Sequence, residues 1–231
     1  MIKAIFFDLY HTLIGYDPPR EDAIVATLDR AGIKLSARSL RRPLVTADEF
    51  FYRETAKKPL AQRNEAETQN LWVKYQATVL KEAGIEPRPE LIRAILADMQ
   101  KSKFNLVLFE DVLPALSALR GKDLILGLIS NADKDVTGLL EKLGVAPYMQ
   151  VILTSQQAGA SKPSPEIFRQ GVKRAKLSPH EALYVGDQWV VDVQGARDAG
   201  LKALLLDRGG YFEEVPPDEK ISSLSELPDR I

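Results

Sequence analysis

The chain contains no cysteine, which excludes disulfides, thiolate nucleophiles and sulfur-ligated metal sites, and which suits a reducing cytoplasm. It has no surplus of positive charge: 31 Lys and Arg stand against 32 Asp and Glu, so nothing in the charge balance favours counterion release from a nucleic acid. Long hydrophobic runs are missing as well. The stretch Met1-Ile2-Lys3-Ala4-Ile5-Phe6-Phe7-Asp8 has an apolar run too short for a signal-peptide core or a membrane span, and it reads as a first strand. No internal repeat or low-complexity segment is found. Neither nucleic acid nor a membrane is therefore an expected partner; the expectation is a cytoplasmic protein, monomer or homodimer. What remains is an ordinary globular composition, 45% hydrophobic and 27% charged over 231 residues, enough for one large domain or one domain carrying a modest insert.

Four short apolar runs, each closed by a polar or Gly-containing turn, read as buried parallel strands: Ala4 to Phe7, Leu124 to Ile129, Ala182 to Val185 and Ala203 to Leu206, with a weaker fifth at Val151 to Leu153. Between them Val136, Leu139, Leu140 and Leu143 share one helical face, and that helix is expected to stop at Gly144. Ser178-Pro179-His180-Glu181 and Ser164-Pro165-Glu166 carry the marks of helix starts. Strands alternating with helices at this spacing predict an α/β fold, a doubly wound parallel sheet.

Residues 17–103 read differently. Trp72, Tyr75 and Val79, then Ile92, Ile95, Leu96 and Met99, form helical stripes, and no strand pattern accompanies them. Pro18-Pro19 opens this stretch, and Pro87 and Pro89 divide its last two helices. The expected organisation is a Rossmann-like core of residues 1–16 and 104–231 with an all-helical insert at 17–103.

In open parallel sheets ligands bind beyond the carboxyl ends of the strands. The polar residues there are Asp8, Tyr10, His11 and Thr12 after the first strand, Ser130 and Asn131 after the second, then Lys162 before Pro163, and Gly186-Asp187 with Asp192. Carboxylates, a hydroxyl and an ammonium converging on one edge suit a divalent cation and an anionic group held together. Asp8 and Asp187 could clamp magnesium, with Asp8 also attacking phosphorus as a nucleophile. Lys162 would neutralise charge on the transferred group, and Ser130 would donate a hydrogen bond to it.

Phe7-Asp8-Leu9-Tyr10-His11-Thr12-Leu13, Ile129-Ser130-Asn131, Lys162-Pro163 and Gly186-Asp187 through Asp192 resemble, in order and spacing, the four motifs of the haloacid dehalogenase superfamily. The helical insert resembles that family's cap. The resemblance implies Asp8 as nucleophile and metal ligand, the carbonyl of Tyr10 as a further ligand, and Thr12 and Ser130 as phosphate-holding or Asp8-orienting groups. It also implies Lys162 on nucleophile and phosphate, Asp187 on magnesium, Asp192 supporting the metal site, and a cap that closes over the site and selects the substrate. Asn131 and His11 join Ser130 and Lys162 as substrate-binding candidates.

The pattern breaks at Tyr10, where the family's phosphatases usually carry a second Asp serving as general acid and base. A phenol can donate a proton at neutral pH but is a poor base. Tyrosine here also resembles the superfamily's metal-independent 2-haloacid dehalogenases, although Gly186-Asp187 keeps the metal-type carboxylate; Arg41 and Arg42 are the halide-binding candidates. His11 replaces a glycine common at its position and either shares the acid–base work or packs the turn. Asp192 either supports the metal site or complements a helix dipole. Trp189 reads as packing, His180 as helix surface, and Trp72 and Tyr75 as core of the insert. The sequence thus points to a magnesium-dependent phosphohydrolase of a small phosphorylated metabolite acting through an aspartyl-phosphate. The alternatives are a dehalogenase or a catalytically weak member that binds a metabolite or partner.

Overall fold

A computed structural model describes residues 1–231. The chain divides into two compact units, one of residues 1–15 and 107–231, the other of residues 16–106.

The strands are β1 (Ala4–Phe7), β2 (Ile14–Asp17), β3 (Asn105–Leu108), β4 (Ile125–Ser130), β5 (Val151–Thr154), β6 (Ala182–Gly186), β7 (Lys202–Leu206) and β8 (Lys220–Ile221). Six of them form one sheet in the order β5-β4-β1-β6-β7-β8, and every pairing in it is parallel. β1 and β6 are buried along their whole length. A central parallel strand is covered on both faces, which is why these segments read as unbroken apolar runs. Phe6, Phe7, Ile5 and Tyr184 are among the largest fully buried side chains, and burial of each large apolar side chain contributes roughly 1.5–3 kcal/mol. Because β1 leads to β4 on one side while β6 lies on its other side, the carboxyl end of β1 sits where the strand order reverses, the place at which such sheets form a crevice.

The first unit also holds helices that follow its strands, while the second is helical: α1 (Arg20–Arg30), α2 (Ala37–Lys57), α3 (Glu65–Glu82) and α4 (Pro89–Lys101). The first unit's helices are α5 (Val112–Arg120), α6 (Thr137–Lys142), α7 (Ser155–Ala158), α8 (Pro165–Arg174) and α9 (Gly195–Asp198). In the second unit Ser36 caps α2, Asn64 and Glu67 form a reciprocal capping box on α3, and Pro89 opens α4, each satisfying or avoiding an orphan N–H. Its core includes Ile24, Leu28, Leu40, Val79, Leu80 and Ile95. Tyr75 is buried in it, whereas Trp72 is 37% exposed and stacks on Phe51.

A charge pair between half-buried Arg20 and buried Asp48 ties three of these helices. Arg20 donates to Asp48, and to the Tyr75 hydroxyl at 3.1 Å, while that hydroxyl donates to Asp48 at 2.8 Å. Burial alone would lower the Arg20 pKa, but Asp48 outweighs it and holds the guanidinium well above its ordinary value.

One local reading is corrected. Ser178-Pro179-His180-Glu181 does not start a helix: it forms a three-residue 3-10 turn, Pro179–Glu181, and passes directly into β6. The capping box is present, with Ser178 N donating to Glu181 at 2.9 Å, yet pairing of the next residues with β1 and β7 overrides the local helix signal. The short β2 and β3, which form a separate two-stranded sheet, leave no apolar run long enough to be read, since they contain Gly15 and Asn105.

Candidate active site

Asp8 is the first residue after β1, and its N–H donates to the carbonyl of Val185 at 2.9 Å on the adjoining β6. The residue is only 6% exposed. The Lys162 ammonium reaches it from a loop 154 residues further on, donating to Asp8 Oδ1 at 2.6 Å. The same nitrogen donates to Asp192 Oδ1 at 2.6 Å and to the Tyr184 hydroxyl at 2.9 Å. Lys162 itself is 2% exposed. Asn131 fixes the lysine's backbone from both sides, its Nδ2 donating to the Lys162 carbonyl at 2.9 Å and its Oδ1 accepting from the Lys162 N–H at 2.7 Å.

Asp192 lies in a wide π-type turn, Trp189–Gln194, and its second oxygen accepts the Gln188 N–H at 3.0 Å. Gly186 makes this possible. A β-carbon there would lie 2.4 Å from the Asp192 carboxyl carbon, a distance no side chain tolerates, so only glycine lets the carboxylate fold back against the strand end. Asp187 is half-buried and receives Gln188 Nε2 at 3.2 Å. Carboxylate oxygens of Asp8, Asp187 and Asp192 lie within 4.8 Å of one another.

The electrostatics follow from this packing. Burial pushes the Asp8 carboxyl up to about 6 from 3.8; Lys162 pulls it down and Asp192 pushes it up again. Burial would lower the Lys162 pKa, but Asp192 and Asp8 raise it above its ordinary value, so the ammonium is charged at neutral pH. When ionised, three carboxylates face one ammonium, a local charge of −2 that a divalent cation would neutralise. All-oxygen donors suit a hard cation such as magnesium, and the donor set fits it.

The loop after β1 carries the other candidates. His11 adopts a left-handed backbone at φ 60°, which explains why glycine suits this position and why histidine, among the residues that enter that region more readily, is tolerated. Its N–H donates to the carbonyl of Ile14 at 2.7 Å. Tyr10 is half-buried beside it and bridges to Ile14. Thr12 and Ser130 are 0% and 1% exposed, and neither hydroxyl has a hydrogen-bond partner. An unpaired buried hydroxyl costs about 1–3 kcal/mol, so two of them, one on the loop after Asp8 and one at the end of the adjacent strand, mark groups left open for a ligand.

Among the residues weighed as packing, Trp189 lies under the Arg197 guanidinium, 5.3 Å from its ring centroid, and His180 is exposed. Arg41 and Arg42 are exposed, and Arg41 pairs with Glu21 at 2.9 Å. Three contributors went unread in the sequence. Tyr184 hides in an apolar strand, where its phenol was the only signal. Gln188 follows Asp187 without a recognisable pattern. Arg208 donates to the carbonyl of Thr12 at 2.9 Å and to both Asp111 oxygens, a link across 196 residues that only folding creates.

Comparison with known proteins agrees with this geometry. A family model for haloacid dehalogenase-like hydrolases matches residues 2–200. A glyceraldehyde 3-phosphate phosphatase from Methanopyrus kandleri is 29% identical, over 99% of this chain and 97% of the relative. A phosphoserine phosphatase from Thermus thermophilus is also 29% identical, over 98% of each chain. Among solved structures, a 2-haloacid dehalogenase from Pseudomonas syringae pv. Tomato matches with a TM-score of 0.57 at 28% identity, covering 100% of this chain and 98% of that one. The chain belongs to the haloacid dehalogenase-like hydrolase family.

Proposed function

We propose that this protein is a magnesium-dependent phosphohydrolase that cleaves a small phosphorylated metabolite through an aspartyl-phosphate on Asp8. The observation that carries the reading is the pairing of a buried Lys162-bridged carboxylate cluster with two buried, unpartnered hydroxyls, Thr12 and Ser130. Relatives named as phosphatases that span nearly the whole chain support it.

Asp8 and Asp187, with the carbonyl of Tyr10, would hold the cation, and Asp192 would hold Lys162 and the turn behind them. Magnesium, when bound, supplies Lewis-acid stabilisation of the phosphoryl oxygens. A carboxylate oxygen of Asp8 attacks phosphorus, the bond from phosphorus to the ester oxygen breaks, and the leaving oxygen takes a proton. Tyr10 is a phenol suited to donating that proton, with His11 beside it. Thr12 and Ser130 donate hydrogen bonds to the transferred group, and Lys162 balances its charge. Water then attacks the same phosphorus, releasing inorganic phosphate and restoring the Asp8 carboxylate. The helical unit, residues 16–106, serves as the substrate-selecting cap.

The test is phosphate release from p-nitrophenyl phosphate and from a metabolite panel including glyceraldehyde 3-phosphate and phosphoserine. Release should require magnesium and vanish in Asp8→Asn. Activity that survives chelation or that substitution overturns the proposal. Tyr10 favours one competing reading, a metal-independent 2-haloacid dehalogenase, which halide release in the presence of chelator would establish.

A further inference from the structure

We propose that Tyr184 is a positioning residue: its hydroxyl locks the Lys162 ammonium between Asp8 and Asp192 and ties it to the strand end that presents Ser130. The consequence for turnover rests on the phosphohydrolase reading; the lock itself does not.

Tyr184 occupies the middle of β6 and is wholly buried. Its hydroxyl does two things at once. It donates to the carbonyl of Ile129 at 2.8 Å and accepts from Lys162 Nζ at 2.9 Å. An ammonium has donors only and a carbonyl accepts only, so the phenol oxygen accepts from the lysine. The phenol proton has two acceptors in reach, the Ile129 carbonyl at 2.8 Å and the Asp192 carboxylate.

An ammonium carries three N–H donors. Here they meet three acceptors: Asp8 Oδ1, Asp192 Oδ1 and Tyr184 Oη. Two carboxylates alone would leave the nitrogen free to pivot about the axis joining them. The third acceptor, supplied by a wholly buried ring, removes that freedom. The ring is itself held edge-on by Phe168 of α8, at 5.0 Å between centroids and 85° between planes. The carbonyl at the far end of the chain belongs to the peptide linking Ile129 to Ser130, whose buried hydroxyl is unpartnered. Tyr184 thus joins in one rigid path the residue that presents Ser130, the ammonium and the candidate nucleophile. Bonds linked in this way polarise one another, and misplacing a group at the reacting centre by about 1 Å is enough to slow a chemical step.

The test compares Tyr184→Phe with Leu119→Val, a core substitution on α5 that takes no part in the hydrogen-bonded chain. Tyr184→Phe keeps the ring and removes only the hydroxyl. In isotope-labelled, metal-free protein, the Lys162 ammonium NMR signal should be sharp in the wild type and in Leu119→Val, because protected N–H groups exchange slowly. It should broaden or vanish in Tyr184→Phe. In steady-state assays Tyr184→Phe should lower kcat about tenfold with KM moved less than about threefold, while Leu119→Val lowers the melting temperature and leaves kcat intact. A Tyr184→Phe protein with an unchanged ammonium signal overturns the lock, whatever the reaction. An altered signal with unchanged kcat overturns the positioning role. Absence of any phosphatase activity in the wild type would instead sink the functional reading and leave the NMR result standing.

Discussion

Replacing Asp8 by Asn in metal-stripped protein should change how stability depends on pH, by an amount the burial of the site dictates. The carboxyl is raised to about 6 from 3.8, by burial first and by Asp192 against the pull of Lys162. At 1.36 kcal/mol for each tenfold, that displacement is worth about 3 kcal/mol in favour of the protonated form. The sign follows from linkage: a folded-state value above the unfolded one means that the folded protein binds the proton more tightly. This contribution is therefore complete below the unfolded value and is lost as pH rises through about 6. Roughly 1 kcal/mol of it falls between about pH 8 and about pH 5. An Asn side chain still accepts from the Lys162 ammonium through its carbonyl oxygen but cannot titrate. Urea denaturation of both proteins in chelator, over that pH interval, separates Asp8 and the Lys162 and Asp192 groups coupled to it from the distant titrations, which cancel in the difference. The wild type should gain about 1 kcal/mol relative to Asp8→Asn on acidification, about 2–4 °C in melting temperature at this chain length. Parallel curves for the two proteins, or a wild type that gains on alkalinisation, would refute the claim that burial dominates the site's electrostatics.

Three further outcomes are expected. Gly186→Ala places a methyl group 2.4 Å from the Asp192 carboxylate and should cost about 1–3 kcal/mol by overpacking, with turnover falling as Asp192 loses its Gln188 and Lys162 contacts; thermal unfolding that moves by less than about 1 °C would contradict this. In the helical unit, Asp48→Ala leaves the half-buried Arg20 guanidinium without its carboxylate and should cost about 2–4 kcal/mol. The double variant Arg20→Met/Asp48→Leu should recover most of that loss in denaturant titrations, and a double variant no better than the single would show that the charge pair was not the cause. Tyr10→Asp restores a carboxylate where this chain has a phenol and should speed hydrolysis of esters with poor leaving groups about 10–100-fold while changing p-nitrophenyl phosphate little; equal rates on both substrates would mean that another group already supplies the proton.

The central strands were legible because a parallel sheet buried on both faces demands unbroken apolar runs, and Ala4 to Phe7 and Ala182 to Val185 have little else they could be. The polar residues at their ends were legible for the same reason: a carboxylate or hydroxyl directly after such a run must stand at the sheet edge. What a local pattern could not determine was decided by partners distant along the chain. Ser178 to Glu181 has the chemistry of a helix start, yet strand pairing on both sides of β6 limits it to one turn. Asp8 and Lys162 are separated by 154 residues, and nothing near either one specifies the 2.6 Å contact or the raised carboxyl that burial produces. Tyr184 looked like one more strand residue until folding set its hydroxyl between an ammonium and a carbonyl. Local sequence thus determined which segments could be strands and which chemistry each could carry, because periodicity and composition act over a few residues. Tertiary structure alone decided which charges meet in one buried cluster, because burial and proximity are properties of the folded whole.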